Sequence, residues 1–160
     1  MKQWKRVWLA SVSLFVAALA LPSWTSPATA QEAGVTVTVK IAGFKGVEGL
    51  ALVTLYDSEQ SWLKVPKAIQ VVRAKITGAA MTLEFKDVKP GTYVVSVIHD
   101  ENKNNELDMR WLPWPKPKEG VGVSNDPDNK AGPPKWEAAK FVVGPETVTI
   151  KATVKYAAEG

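Results

Sequence analysis

The mature sequence predicts an all-β domain, a single antiparallel sandwich of about seven strands. Three observations carry this. Apolar and polar residues alternate with period 2 through most of the chain, which is the pattern of strands with one face on a core. Turn-forming residues separate the alternating runs, and no segment sustains a 3.6-residue apolar period. The 160-residue length suits one domain with one proper core.

The elements follow in order. Val35 to Ile41 is aliphatic at every odd position and polar at the even ones. Gly43, Gly46 and Gly49 break the chain after it. Leu50–Tyr56 and Tyr93–Ile98 are apolar on both parities and read as central strands. Gln70–Ile76 and Ala139–Val143 are weaker candidates. Met81, Leu83 and Phe85 alternate with Thr82, Glu84 and Lys86, and Val148–Tyr156 alternates throughout. Thr77-Gly78-Ala79 and Gly144-Pro145 are short enough for hairpins. Lys89-Pro90-Gly91-Thr92 suits a type II turn with Gly91 at positive φ. Ser58–Ala68 suits a short helical turn that lays Trp62 and Leu63 over an end of the sandwich. Residues 100–137 contain no clear strand and many prolines, yet include Trp111, Trp114 and Trp136. An excursion of that length is functional more often than idle, and its tryptophans argue for order.

The N-terminus reads as an export signal. Lys2, Lys5 and Arg6 precede an apolar run, Val7–Leu21, and Ala28-Thr29-Ala30 gives a small-residue cleavage site. The run is shorter than the roughly 20 residues of a membrane span. Cleavage before Gln31 leaves 31–160 as the mature domain, periplasmic or secreted; retention of 1–30 as an anchor stays open. The whole chain has 20 basic and 16 acidic residues. Three of the basic ones lie in the leader, so the mature net charge is +1. No nucleic-acid footprint survives that arithmetic, and no membrane span is expected after cleavage. With no cysteine, neither a disulfide nor a lipobox is available, so the exported domain relies on its core.

The most specific local sequence runs from His99 to Asp108. Counting Asp100 as position 1, side-chain oxygens fall at 1, 3, 5 and 9: Asp100, Asn102, Asn104 and Asp108. This is the spacing of calcium loops, with the Glu106 carbonyl at position 7. Asn105 stands where such loops place glycine, and asparagine tolerates the left-handed conformation. Position 12, normally a bidentate Glu, is Trp111, so Ca²⁺ would be weakly held; Asp126 or Asp128 could supply a missing ligand. The competing reading is an Asn/Asp turn bonded to its own backbone. His99, the lone histidine, matches the inward parity of its strand, which suits a residue that fixes the following loop. A hydrolase would have to pair His99 with Ser124 or Ser96, neither in a nucleophile elbow. One His and no Cys do not make a zinc or copper centre. No catalytic constellation is recognisable, and the expectation is a non-enzymatic accessory or binding module. Trp111, Trp114 and Trp136 either form a platform for a glycan or an extracytoplasmic protein's peptide, or pack down to hold the excursion.

Val95-Ser96-Val97-Ile98-His99-Asp100-Glu101-Asn102-Lys103-Asn104, then Leu107-Asp108, resembles the HDENxNGxLD signature of exported bacterial proteins grouped as domain-of-unknown-function family 2141. Pro90-Gly91-Thr92-Tyr93, Pro117-Lys118-Glu119-Gly120, Gly122-Val123-Ser124-Asn125, Gly132-Pro133-Pro134-Lys135-Trp136 and Ala138-Ala139-Lys140-Phe141 extend the likeness across nearly all the mature chain. The resemblance implies a small exported β-sandwich without an assigned activity. Two departures stand out: Asn105 replaces the family's loop glycine, and extra proline and tryptophan lie between Asp108 and Glu119. The Pro-Gly-Thr-Tyr turn is also similar to that of transthyretin-like and carboxypeptidase-regulatory-like sandwiches, a likeness of fold alone. The hydroxyisourate hydrolases of that fold end in Tyr-Arg-Gly-Ser, whereas Tyr156 is followed by Ala157, so their activity is not implied.

Overall fold

The alternation in Val35–Ala42 (β1) places Val37, Val39 and Ile41 inside and Lys40 and Ala42 outside, as a one-sided strand requires. In the computed structural model, which describes residues 33–111, 113–128 and 132–157, β1 is the middle of a three-stranded sheet. Its neighbours are Ala80–Val88 (β4), antiparallel, and Val148–Thr153 (β10), parallel. The expectation of a wholly antiparallel architecture is therefore corrected at one pair. β10 arrives from the facing sheet and need not return as a hairpin, so nothing forces it antiparallel to β1.

The second sheet runs Gln70–Lys75 (β3), Leu50–Tyr56 (β2), Gly91–Asp100 (β5) and Gly120–Val123 (β8). Phe141–Val143 (β9) pairs with β5 at Gly91–Tyr93, and β8 pairs with it at Ser96–His99. The two sheets face each other across one core. Val37, Val39, Ile41, Phe85 and Ile150 from the first meet Ala51, Val53, Leu55, Val95 and Val97 from the second.

β2 and β5 are apolar on both parities because their sheet is covered on both faces. Tyr56 and Val94 point away from the main core into a second cluster with Trp62, Val123, Trp136 and Ala139. Trp62 comes from the turn preceding a short 3-10 segment, Val65–Lys67. Trp136 begins a four-residue helix, Trp136–Ala139 (α1). The rings meet edge to face, Tyr56 with Trp62 at 5.4 Å and Trp62 with Trp136 at 6.4 Å, the geometry aromatic quadrupoles favour. The Trp62 indole N–H donates to the Pro134 carbonyl at 3.0 Å. Leu63, expected to pack beside Trp62, is instead exposed at φ +60°.

All seven expected strands are present, and the excursion holds three more: β8, and the two-residue strands Met109–Arg110 (β6) and Lys116–Pro117 (β7). β8 reads Gly-Val-Gly-Val, which hides it from propensity. The glycines are there for contact: a Cβ on Gly120 would lie 2.5 Å from the Tyr156 ring, and one on Gly122 would lie 2.8 Å from the Thr153 carbonyl. β8 thus lies close against the segment after β10, and the Val121 and Lys155 backbones exchange bonds of 2.9 and 2.8 Å. This joins the sheets along one side.

The expected hairpins at 77–79 and 144–145 are corner crossings, since β3 and β9 pair within the second sheet and β4 and β10 within the first. Gly91 does not take positive φ; Asp87 does, at +56°, beside the register shift between β1 and β4. The corner is held by the Tyr93 hydroxyl, which donates to the Lys89 carbonyl at 2.9 Å, the bond made by the tyrosine corner of immunoglobulin-type sandwiches.

All three tyrosines have pKa values above the usual 10. Burial is the main cause at each. Asp57 adds to it at Tyr93, and Glu101 does so at Tyr156. The fold favours the neutral phenols, so their contribution is complete below pH 10 and lost as pH rises through the raised values. Phenolate absorbance of the native protein should rise at higher pH than that of the protein in denaturant. Coincident curves would show that the hydroxyls titrate as if exposed.

Candidate functional site

β5 ends in the site. Its last two residues, His99 and Asp100, are buried, at 2% and 0% exposure. His99 faces the main core, as its parity requires. Its Nε2 lies 2.8 Å from the Glu48 carbonyl and its Nδ1 lies 2.5 Å from the Tyr156 hydroxyl. A carbonyl only accepts, so Nε2 carries a proton and donates to Glu48, while Nδ1 shares a hydrogen bond with the Tyr156 hydroxyl. The Lys45 backbone N–H donates to the same phenol oxygen at 3.1 Å. His99 therefore ties β5 to the 43–49 loop and to the segment after β10.

The side chain of Asp100 holds the loop that follows. Oδ1 accepts the Asn104 N–H at 3.1 Å and Oδ2 accepts the Asn105 N–H at 2.8 Å. Two nested turns continue the pattern: Asn102 Oδ1 accepts the Asn104 N–H at 3.0 Å, and Asn104 Oδ1 accepts the Glu106 N–H at 2.8 Å. Such side-chain-to-backbone bonds are what Asn and Asp form most readily. Asn105 takes φ +64°, the left-handed conformation expected of it, and Lys103 takes +62°. Arg73 of β3 fixes the tip of the turn, its Nε donating to Asn105 Oδ1 at 2.6 Å.

Asp108 closes the ring. Its carboxylate accepts from Asn102 Nδ2 at 2.7 Å and from Asn104 Nδ2 at 3.3 Å. The structure thus brings Asp100, Asn102, Asn104 and Asp108 together, and Glu106 enters through its backbone N–H. Asp126 is not among them: its two oxygens accept the Thr153 N–H and hydroxyl at 2.6 and 2.7 Å, which removes it as a supplementary ligand.

Glu119 is the residue that sequence reasoning missed. At 4% exposure, its Oε1 accepts the Glu101 N–H at 3.2 Å and its Oε2 accepts the Asp108 N–H at 3.1 Å. One carboxylate clamps both ends of the loop. Burial raises its pKa above the usual carboxylate value; the two amide bonds oppose this, and Asp108 and Asp100 add smaller repulsions. Beyond its place in the Pro117-Lys118-Glu119-Gly120 segment of the family likeness, its signal was positional. Gly120 pairs with His99, so Glu119 precedes a strand whose existence the glycines concealed.

Between Asp108 and Glu119 the chain forms the β6–β7 hairpin, with Met109 opposite Pro117 and Arg110 opposite Lys116. The Lys118 N–H donates to the Asp108 carbonyl at 2.9 Å, which plants the hairpin on the loop. Trp111 and Trp114 lie at its far end, 69% and 73% exposed. Trp136 is 7% exposed in the second cluster. The expected three-ring platform therefore divides: two rings face solvent and the third is core.

Ser124, the other half of the conceivable hydrolytic pair, is wholly buried. Its hydroxyl donates to the Ala139 carbonyl at 2.6 Å and accepts the Val95 N–H at 3.1 Å, standing in for backbone between β8 and β9. Among the described residues, no group of three or more His, Cys, Asp or Glu side chains has the geometry of a metal site. None of the helices there is long and apolar enough to cross a membrane.

Neither a curated protein nor a solved structure matches the chain. A family model does match residues 39–151, from the first strand through β10, with the clamped loop inside it. The chain belongs to the family described as "Uncharacterized protein conserved in bacteria (DUF2141)".

Proposed function

We propose that this chain is an exported, non-enzymatic binding module: a β-sandwich of the immunoglobulin or transthyretin kind that carries its binding surface on the 100–119 excursion. The observation that carries the reading is the clamp. Glu119 and Asp100 are buried carboxylates whose bonds all go to the loop's own amides, and two solvent-facing tryptophans stand on the hairpin they brace. Rigid support beneath exposed aromatic side chains is what a binding site requires, because little entropy is then lost on association. The non-enzymatic part is supported by His99 and Ser124, each buried and each engaged on both sides by partners that fix the fold. The export signal, residues 1–30, lies outside the described residues and supports a periplasmic or secreted location by its sequence alone. Within this reading, glycan or partner-peptide recognition falls to Trp111 and Trp114.

Calcium is the second part of the proposal. Asp100, Asn102, Asn104, the Glu106 carbonyl and Asp108 supply the ligands, and Ca²⁺ would neutralise carboxylates that otherwise face only amides. Entry requires the Asn102 and Asn104 amide groups to turn away from Asp108, so binding is weak, on the order of 10⁻⁴–10⁻³ M. Calorimetric titration and thermal melts of residues 31–160 test it. Millimolar Ca²⁺ should raise Tm by mass action, and Asp108→Asn should abolish the rise. No heat and no shift up to about 10 mM, well above that range, would leave the loop as a self-bonded turn.

A further inference from the structure

The outer face of the first sheet is chemically distinct from the 100–119 excursion. There the register sets Lys40 of β1 directly beside Lys151 of β10, with Thr82 of β4 on the other side of Lys40. All three residues are exposed. Neighbouring strands lie about 4.8 Å apart, so the two ammonium groups share one stretch of surface and repel each other. Among the described residues, no carboxylate is within ion-pair distance of either lysine. The ladder's own carboxylate, Glu84, stands one row away beside Thr38.

The row on the other side of the lysines is small. Ala42 pairs with Thr153 to one side and with Ala80 to the other. The step from long side chains down to methyl groups leaves a concavity of about 440 Å³ lined by both rows, within the roughly 300–1,000 Å³ of small-molecule sites. Asp126 lines it at the Thr153 end. Two successive left-handed residues, Asn125 at φ +66° and Asp126 at +45°, carry its carboxylate there, a conformation that costs energy in residues other than glycine. The Thr153 N–H and hydroxyl hold the carboxylate at 2.6 and 2.7 Å, and each of its oxygens keeps a lone pair for a further donor.

A bare anion gains from the lysines and loses to Asp126. A neutral sugar leaves both ammonium groups unmatched, and a long polyanion meets Glu84 in the next row. One chemistry satisfies every group. It places an anionic substituent at the lysines, a ring face on the methyl floor, and hydroxyls about 6.6 Å further along the strand, where they donate to Asp126. We infer that this concavity binds an acidic sugar, a hexose bearing a phosphate ester or a uronic carboxylate, through Lys40, Lys151 and Asp126. Nothing in the 100–119 excursion takes part, so the site stands or falls apart from the hairpin's role.

The test is an NMR amide-shift titration of residues 31–160, which form one compact unit, with glucose 6-phosphate, glucuronate, glucose and inorganic phosphate. At least one acidic sugar should bind saturably and move the amides of Lys40 to Ala42, Ala80 to Thr82, Asp126 and Lys151 to Thr153. The tighter of the two identifies the source of the anion. Glucose and inorganic phosphate should bind at least about tenfold more weakly, and Lys40→Gln with Lys151→Gln should weaken the acidic sugar by as much. Salt should weaken it too. Ala42→Leu fills the floor, keeps every charge and should block the sugar without lowering Tm. Asp126→Asn should narrow the preference for sugar over inorganic phosphate.

No shift from either acidic sugar, or binding unchanged in the double lysine variant or in Ala42→Leu, would overturn the inference. Inorganic phosphate bound as tightly as the sugars would overturn it as well and leave an adventitious ion only. Shifts confined to the indole N–H signals of Trp111 and Trp114 would overturn it and leave the hairpin as the binding surface.

Discussion

Replacing Trp136 with alanine is expected to destabilise the mature domain by about 3–5 kcal/mol, lowering Tm by roughly 10–15 °C for a domain of this size. Trp136 packs with Trp62 and Ala139 over the outer face of the second sheet, where Tyr56, Val94 and Val123 point. Its ring meets Trp62 edge to face, and Trp62 in turn meets Tyr56. Removing it opens a cavity between α1 and the sheet. The loss extends beyond the transfer term, because the Trp62 indole bond to Pro134 depends on the same short segment. By contrast, Trp111→Ala and Trp114→Ala should each change stability by no more than about 0.5 kcal/mol, as surface substitutions do. Denaturant melts of the three single variants, with acrylamide quenching of each, separate the groups. Equal costs at Trp111 and Trp136 would mean that the hairpin rings pack on the domain after all, and the binding surface would lose its exposed aromatics.

That division of the tryptophans marks where the sequence stopped being legible. Strand positions in β1, β4 and β10 could be read because each has one wet face, and alternation records that directly. The double-sided character of β2 and β5 was readable for the converse reason. What covers their second face was not, because Trp62 and Trp136 lie far apart in sequence and on elements too short for periodicity. Pairing partners were equally hidden: a short Gly-Pro turn looks the same whether it closes a hairpin or crosses between sheets. Within the site, the turn from Asp100 to Asp108 was readable, since its bonds span two to six residues. Glu119 was not, because its role depends on β8 lying beside β5, and β8 carries glycine where a strand former is expected.

The second large effect is expected at Asp100, where two forces oppose each other. Asp100→Ala removes the acceptor of the Asn105 N–H and one of the two acceptors of the Asn104 N–H, which keeps Asn102 Oδ1, in a part-buried setting, and hydrogen bonds to charged groups contribute about 1.5–3 kcal/mol each. A loss of roughly 2–3 kcal/mol follows. Asp100→Asn keeps one oxygen, turns an NH₂ group toward the other amide, and removes a negative charge near Asp108 and Glu119. Were repulsion dominant, this variant would be more stable than the wild type. The geometry argues otherwise: both Asp100 oxygens accept backbone N–H groups, and an asparagine amide can supply only one of those two acceptors. The expected order is therefore wild type above asparagine above alanine, measured by denaturant melts in the presence of a chelator. If asparagine proves the most stable, the three carboxylates are held together at a cost that the loop's amides do not offset. Repeating the melts with millimolar Ca²⁺ would then discriminate further. A wild type that regains its lead only with the ion would identify the cost as the preorganisation of a calcium site. A wild type already ahead in chelator would identify Asp100 first as the brace of the hairpin.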